Sequence, residues 1–142
     1  MITAYRPCKP NNDQGPTTIN AQQWNILENI DQEDENLRDK MIFDLGTHII
    51  HLIDKHHEVI LCIDTNEPHI YYIGIDKLIK CTKIIHPILV RHGCVNELNT
   101  HKRGSDRIDF VLCTRVINEF ITKCDILPFD QIFQSDHRGI YI

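Results

Sequence analysis

The sequence predicts an α/β (α+β) fold on three observations. Leu37, Met41, Leu45, Ile49 and Ile53 recur every four residues with Leu52 beside them, which is the single apolar stripe of an amphipathic helix. Val59-Ile60-Leu61-Cys62-Ile63 is an unbroken apolar run, the pattern of a strand covered on both faces. Strand-like and helix-like segments then alternate along the chain, the order of a layered sheet-and-helix domain. With 142 residues, 42 % hydrophobic and 25 % charged, the chain has the length and composition of one modest domain able to bury a core.

Each element has a local reason. Met1 to Tyr5 is short, apolar and β-leaning, and it stops at Pro7. Cys8 to Pro16, rich in Pro, Gly and Asn, reads as a loop. Thr18 can cap a helix carrying Ala21, Trp24 and Leu27. Gln32 to Asn36 is acidic and polar, and the striped helix follows, ending at His56-His57. The strand from Val59 leaves through Asp64-Thr65-Asn66-Glu67-Pro68. Asp76 to Lys83 and the stretch near Leu89 to Leu98 read as weaker helices, and Asn99 to Arg107 as a polar, basic loop. Ile108 to Cys113 is a strand, Ile117 to Cys124 a short helix or turn, Ile126 to Phe133 an extended connection, and Gly139 to Ile142 a last strand.

Several function classes are disfavoured. The net charge of −5 argues against a protein that coats nucleic acid by bulk attraction, while leaving local phosphate binding open. No apolar run approaches the ~20 residues of a membrane span. Met-Ile-Thr-Ala-Tyr-Arg-Pro lacks the basic region and apolar stretch of a secretory signal, so an intracellular protein without membrane attachment is expected. None of the six cysteines forms a Cys-x-x-Cys pair, and Cys62 and Cys113 read as small buried hydrophobes. Cys81, His86, His92 and Cys94 match no zinc-finger spacing and read as scattered residues.

Polar clusters at strand ends carry the chemistry, since a rigid strand positions a catalytic group. Asp64 and Asn66 leave the most apolar strand: a carboxylate there can hold a cation or orient water, and a carboxamide can donate to phosphate. An ordinary Asx turn would use the same residues. Asp109 shares a strand face with Val111 and Cys113, so it needs a partner or a raised pKa, unless it sits at an edge and reaches water. Ser135-Asp136-His137-Arg138-Gly139 offers a carboxylate for a hard cation and an imidazole for proton transfer or charge, and it could equally be a charged turn. Asp109 and His137 together suggest a carboxylate that fixes an imidazole's tautomer. Thr100-His101-Lys102-Arg103-Gly104-Ser105 with Arg107 is the densest basic stretch, suited to phosphate through His101, Lys102, Arg103 and Arg107, or else a solvated loop.

Taken in order, Thr3-Ala4-Tyr5-Arg6-Pro7, Asp64-x-Asn66, Arg107-Ile108-Asp109-Phe110 and Ser135-Asp136-His137 resemble the endonuclease/exonuclease/phosphatase (DNase I-like) superfamily, the retroelement-type endonuclease domains most of all. The resemblance runs from Thr3 to Ile142 and covers the C-terminal part of such a domain. It implies a four-layered α/β/β/α sandwich in which residues 1–142 lack the N-terminal half and its metal-binding glutamate. Gln32-Glu33 follows Tyr5 instead of preceding it and does not supply that glutamate. The implied activity is phosphodiester hydrolysis with Mg²⁺ or Mn²⁺, acting on nucleic acid, DNA foremost. The implied roles are Asp64 on the attacking water, Asn66 and Tyr5 on the phosphate, His137 on developing charge and Asp109 orienting His137. The implied metal residues are Asp136, Asp64 and Asn66. Ile63 stands where the family usually has Gly, and Cys8 where it commonly has Asn. The alternatives are an inactive remnant of such a domain and a phosphatase of inositol or lipid phosphates.

Overall fold

The structure is a computed structural model that describes residues 1–8, 15, 18–29, 36–67, 74–93, 98–132 and 134–142. Most of the loop expected over Cys8 to Pro16, most of the acidic stretch with Gln32-Glu33, Pro68, and residues 94–97 of the helix expected near Leu89 to Leu98 fall outside these residues; of that helix the described part ends at His92, and Leu98 is not helical.

A three-stranded mixed sheet forms the centre. Its strands are β1 (Ile2–Tyr5), β2 (Ile60–Asp64) and β3 (Asp109–Cys113), in the order β1-β2-β3. β2 runs parallel to β1 and antiparallel to β3. Two helices cover one face: α2 (Leu37–Asp54) and α3 (Gly74–Thr82). Ala4, Leu61, Ile63, Phe110 and Leu112 meet Ile42, Ile49, Ile75 and Leu78 in the main core. Fully burying each large side chain of this kind contributes about 1.5–3 kcal/mol, so this face dominates stability.

The other face is less covered than an unbroken apolar run implies. Ile60 and Cys62 are only half-buried, while Leu61 and Ile63 are buried. β2 is thus fully covered on one face and partly on the other.

α1 (Ile19–Glu28) starts where expected, with the Thr18 hydroxyl accepting from the Ala21 N–H. Leu27 is buried, while Trp24 lies on the same helix and stays 40 % exposed. Asn36 caps α2 by accepting from the Arg38 and Asp39 N–H groups. The buried line of α2 is Arg38, Ile42, Gly46 and Ile49, with Met41, Leu45 and Ile53 at its margin. At Gly46 an added Cβ would lie 3.3 Å from Cys81 Sγ and 3.4 Å from Leu78 Cδ1, so glycine lets α3 approach closely.

The remaining elements are short. α4 (Pro87–His92) begins with Pro at its first position, and α5 (Arg115–Phe120) starts earlier than expected. β4 (Asp125–Ile126) pairs antiparallel with β5 (Ile140–Tyr141), and a second small core gathers Ile88, Cys124 and Ile126. The extended connection expected from Ile126 is mostly turns, with Asp130 at φ 59°. Among the described residues, no helix is long and apolar enough to cross a membrane.

Candidate active site

Register builds the site. Tyr5 pairs with Asp64 across β1 and β2, and Asp64 pairs with Asp109 across β2 and β3. Residues directly opposite in a sheet share a face. One hydroxyl and two carboxylates therefore form a row at one end of the sheet, on the face away from the main core.

Asp64 closes β2 and begins a tight turn. Its Oδ1 accepts the Asn66 N–H at 2.9 Å, and Asn66 sits at φ 46°, a left-handed conformation that Asn tolerates. The Asn66 carboxamide donates to the Arg6 carbonyl at 2.8 Å, which ties the exits of β1 and β2 together. The Tyr5 hydroxyl lies 3.7 Å from Cys8 Sγ. That contact with Cys8, then burial, raises the Tyr5 pKa, while the nearby Asn66 carboxamide pulls the other way.

His137 reaches the row from the chain's last segment. The segment is pinned by Lys102 N–H to Asp136 O at 2.8 Å and Arg138 N–H to Thr100 O at 2.8 Å, with His101 bridged to His137. His137 Nδ1 lies 2.9 Å from Asp109 Oδ2, with side-chain exposures of 34 % and 18 %. An Nδ1–H donated to Asp109 leaves Nε2 for other work. Burial alone would lower the His137 pKa, but the hydrogen bond and charge of Asp109, helped by Asp64 and Asp136, raise it on balance. Burial pushes the Asp64 carboxyl up, and Asp109 adds to this, while the Asn66 N–H and the two histidines oppose it.

Thr100, fully buried, holds the start of β3. Its hydroxyl oxygen accepts the N–H groups of Ile108 at 2.9 Å and Asp109 at 3.0 Å. Its carbonyl receives Arg138, so one residue sets Asp109 and the His137 segment together.

Among the described residues, two groups of side chains lie close enough to hold a metal ion: Asp64, Asp109 and His137, and His101, Asp136 and His137. The metal set implied by resemblance is thus divided. Asp136 groups with His101, whose Nε2 lies 3.5 Å from Asp136 Oδ2, and Asn66 gives its carboxamide to Arg6. His101 also stacks edge-on against His137 with ring centroids 4.9 Å apart. Its Nδ1 accepts the Arg103 N–H at 3.2 Å, which favours the Nε2–H tautomer. Cys81, His86 and His92 do not converge: His86 caps α4, and His92 Nε2 meets the Cys124 carbonyl at 2.8 Å.

The basic loop is less available than its composition suggests. Arg107 is only 4 % exposed and lies 3.4 Å from His86 Nε2, so it is not placed to meet a substrate from solvent. Lys102 Nζ pairs with Asp130 at 2.7 Å. Arg103 is exposed.

Sequence reasoning missed Arg38, Arg6 and Glu67, which cluster behind the Asp64–Asn66 turn. An arginine in the first turn of a helix carries no sequence mark of burial. No family model, curated protein or solved structure matches this chain.

Proposed function

We propose that this chain is a metal-dependent phosphodiester hydrolase of endonuclease type, acting on nucleic acid. The observation that carries the reading is the meeting of Tyr5, Asp64 and Asp109 in one row, capped by the Asp109–His137 hydrogen bond of 2.9 Å. These are the residues the DNase I-like resemblance selects from four separate stretches of sequence.

Each residue has chemistry suited to the task. Asp64, with its raised pKa, is suited to take a proton from an attacking water. Asp109 fixes the His137 ring, and His137 presents Nε2 to charge that develops on the phosphate. Tyr5 and Asn66 border the same end of the sheet and would hold phosphate oxygens.

The donor set fits a divalent cation. Two carboxylates held together and partly buried carry negative charge that is not fully balanced, and hard cations such as Mg²⁺ or Mn²⁺ take oxygen ligands. Asp64 and Asp109 would hold the ion, with Asp136 beside His137. When bound, it would supply charge stabilisation to a phosphate oxygen. The reading also carries the four-layered sandwich, with a second sheet over the face that bears the row.

One observation favours a second reading, a phosphatase of small phosphate esters. Within the basic loop, Lys102 is held by Asp130 and Arg107 is buried, which leaves that loop fewer cations to track a polymer than its composition suggests. Supercoiled plasmid and a soluble inositol phosphate, each incubated with the protein in Mg²⁺ and in Mn²⁺, separate the two. Plasmid nicking that stops with chelator supports the endonuclease. Phosphate release without nicking supports the second reading, and neither reaction under any condition contradicts both.

A further inference from the structure

Behind the row lie two buried arginines that no catalytic role requires. Arg6 follows β1, and Arg38 stands in the first turn of α2; both are buried. They share Glu67, whose carboxylate pairs with Arg6 Nη1 and lies 3.7 Å from Arg38 Nη2. Arg6 Nε donates to the Arg38 carbonyl at 3.2 Å, and its Nη2 lies 3.6 Å from the more exposed Asp39. Burial, then the neighbouring Arg38, pushes the Arg6 guanidinium down to about 10.

The Arg38 contacts converge on one place. Nη1 donates to the Pro7 carbonyl. Nη2 lies 3.4 Å from the carbonyl oxygens of both Thr65 and Asn66. One planar fork thus grips the loop leaving β1 and the turn leaving β2, the two segments that carry Tyr5, Asp64 and Asn66. Turn carbonyls buried away from water need such donors. A lysine at this place would bring charge but not the rigid fork.

We infer that Arg38 is a positioning residue for the phosphate-holding end of the site: its fork fixes the Asp64–Thr65–Asn66 turn against the β1 exit. The role given to Asn66 rests on the hydrolase reading; the fixing of the turn does not. Arg38 touches none of the reacting groups and acts through the backbone of Thr65 and Asn66. Asn66 is where the effect is felt, because its left-handed backbone and its N–H bond to Asp64 are the least self-sufficient part of the turn.

Amide hydrogen exchange of the full chain, followed by NMR, tests the positioning directly. In Arg38→Ala the Asn66 amide is expected to exchange at least tenfold faster, while amides of the β2–β3 ladder such as Leu112, which pairs with Leu61, keep their protection. Guanidinium chloride at concentrations far below unfolding is expected to restore Asn66 in Arg38→Ala and to leave the wild type unchanged. Arg38→Lys, which keeps the buried charge, is expected to stay folded and still lose Asn66 protection, and it decides the matter if the alanine variant does not fold. Unchanged Asn66 exchange in Arg38→Lys, or equal loss at Asn66 and Leu112, overturns the inference. The hydrolase reading is judged separately by wild-type cleavage. If the wild type cleaves, Arg38→Lys should lower the rate at saturating substrate by roughly 10²-fold, the cost of a displacement near 1 Å, with little change in KM. An unaltered rate beside lost Asn66 protection would confine Arg38 to the turn and overturn its link to catalysis.

Discussion

Asp64 and Asp109 stand directly opposite each other, as the last residue of β2 and the first of β3. Like charges in opposed positions of a sheet repel. Here burial and this neighbour raise the Asp64 pKa. A group whose folded pKa is raised contributes stability below its unfolded value, 3.8 for Asp, and that contribution is lost as pH rises through the folded value. At neutral pH without metal, ionised Asp64 therefore costs stability. Asp64→Asn should melt higher than the wild type at pH 7 without metal, and the gain should disappear near pH 3. Thermal melts at the two pH values check this; a lower melting temperature at pH 7 would contradict it.

The His137–Asp109 pair has its own pH signature. The raised His137 pKa means that its stabilising contribution is complete below the unfolded value of 6.5 and is lost as pH rises through the folded value. Asp109→Asn removes the hydrogen bond and charge that oppose burial, so the imidazole should titrate at lower pH. An NMR titration of the His137 ring measures this, and an unchanged midpoint would rule out the orienting contact. In cleavage, His137→Ala should cost about 10²–10³-fold in turnover, the usual loss of a transition-state charge donor.

Lys102 tests the basic loop. A phosphate contact carries no sequence information, so Lys102→Ala should weaken nucleic-acid binding across sequences and flatten its salt dependence. Because Lys102 is paired with Asp130, Asp130→Asn should release the ammonium and tighten binding. Fluorescence anisotropy with a short duplex at several salt concentrations distinguishes these outcomes. If Asp130→Asn weakens binding, the ion pair positions Lys102 and does not mask it.

Gly74 is a packing test of the arginine cluster. A Cβ there would sit 3.0 Å from both Cζ and Nη1 of Arg6. Alanine at a helix position would ordinarily gain up to about 1 kcal/mol over glycine. Arg6 is buried and tied to Glu67 and Arg38, so it cannot swing aside cheaply. The overpacking cost of about 1–3 kcal/mol should prevail. Gly74→Ala should lower the denaturant midpoint; a rise would mean that Arg6 yields.

These residues also mark what could be read from sequence. Asp64 and Asp109 were legible because each adjoins an apolar run, and the α2 stripe because its period is local. The pairing of Tyr5 with Asp64 was not legible, since it joins positions far apart in sequence through strand register. Arg107 looked like part of a basic loop because basicity does not report which way a side chain faces; its neighbour His86 is distant in sequence. Arg38 was hidden for the same reason, and its partners Pro7, Thr65 and Asn66 belong to two other loops. The resemblance drew Asp136 toward Asp64, whereas strand pairing placed Asp136 beside His101.

A Mn²⁺ titration followed by NMR line broadening tests the proposal that Asp64 and Asp109 hold a divalent cation beside His137. Paramagnetic broadening should begin at Asp64, Asp109 and His137, extend to Asp136 and Asn66, be reversed by excess Mg²⁺, and weaken strongly in Asp64→Asn. Broadening that starts instead at exposed carboxylates such as Asp44 or Asp76, or that is unaltered in Asp64→Asn, would contradict the account.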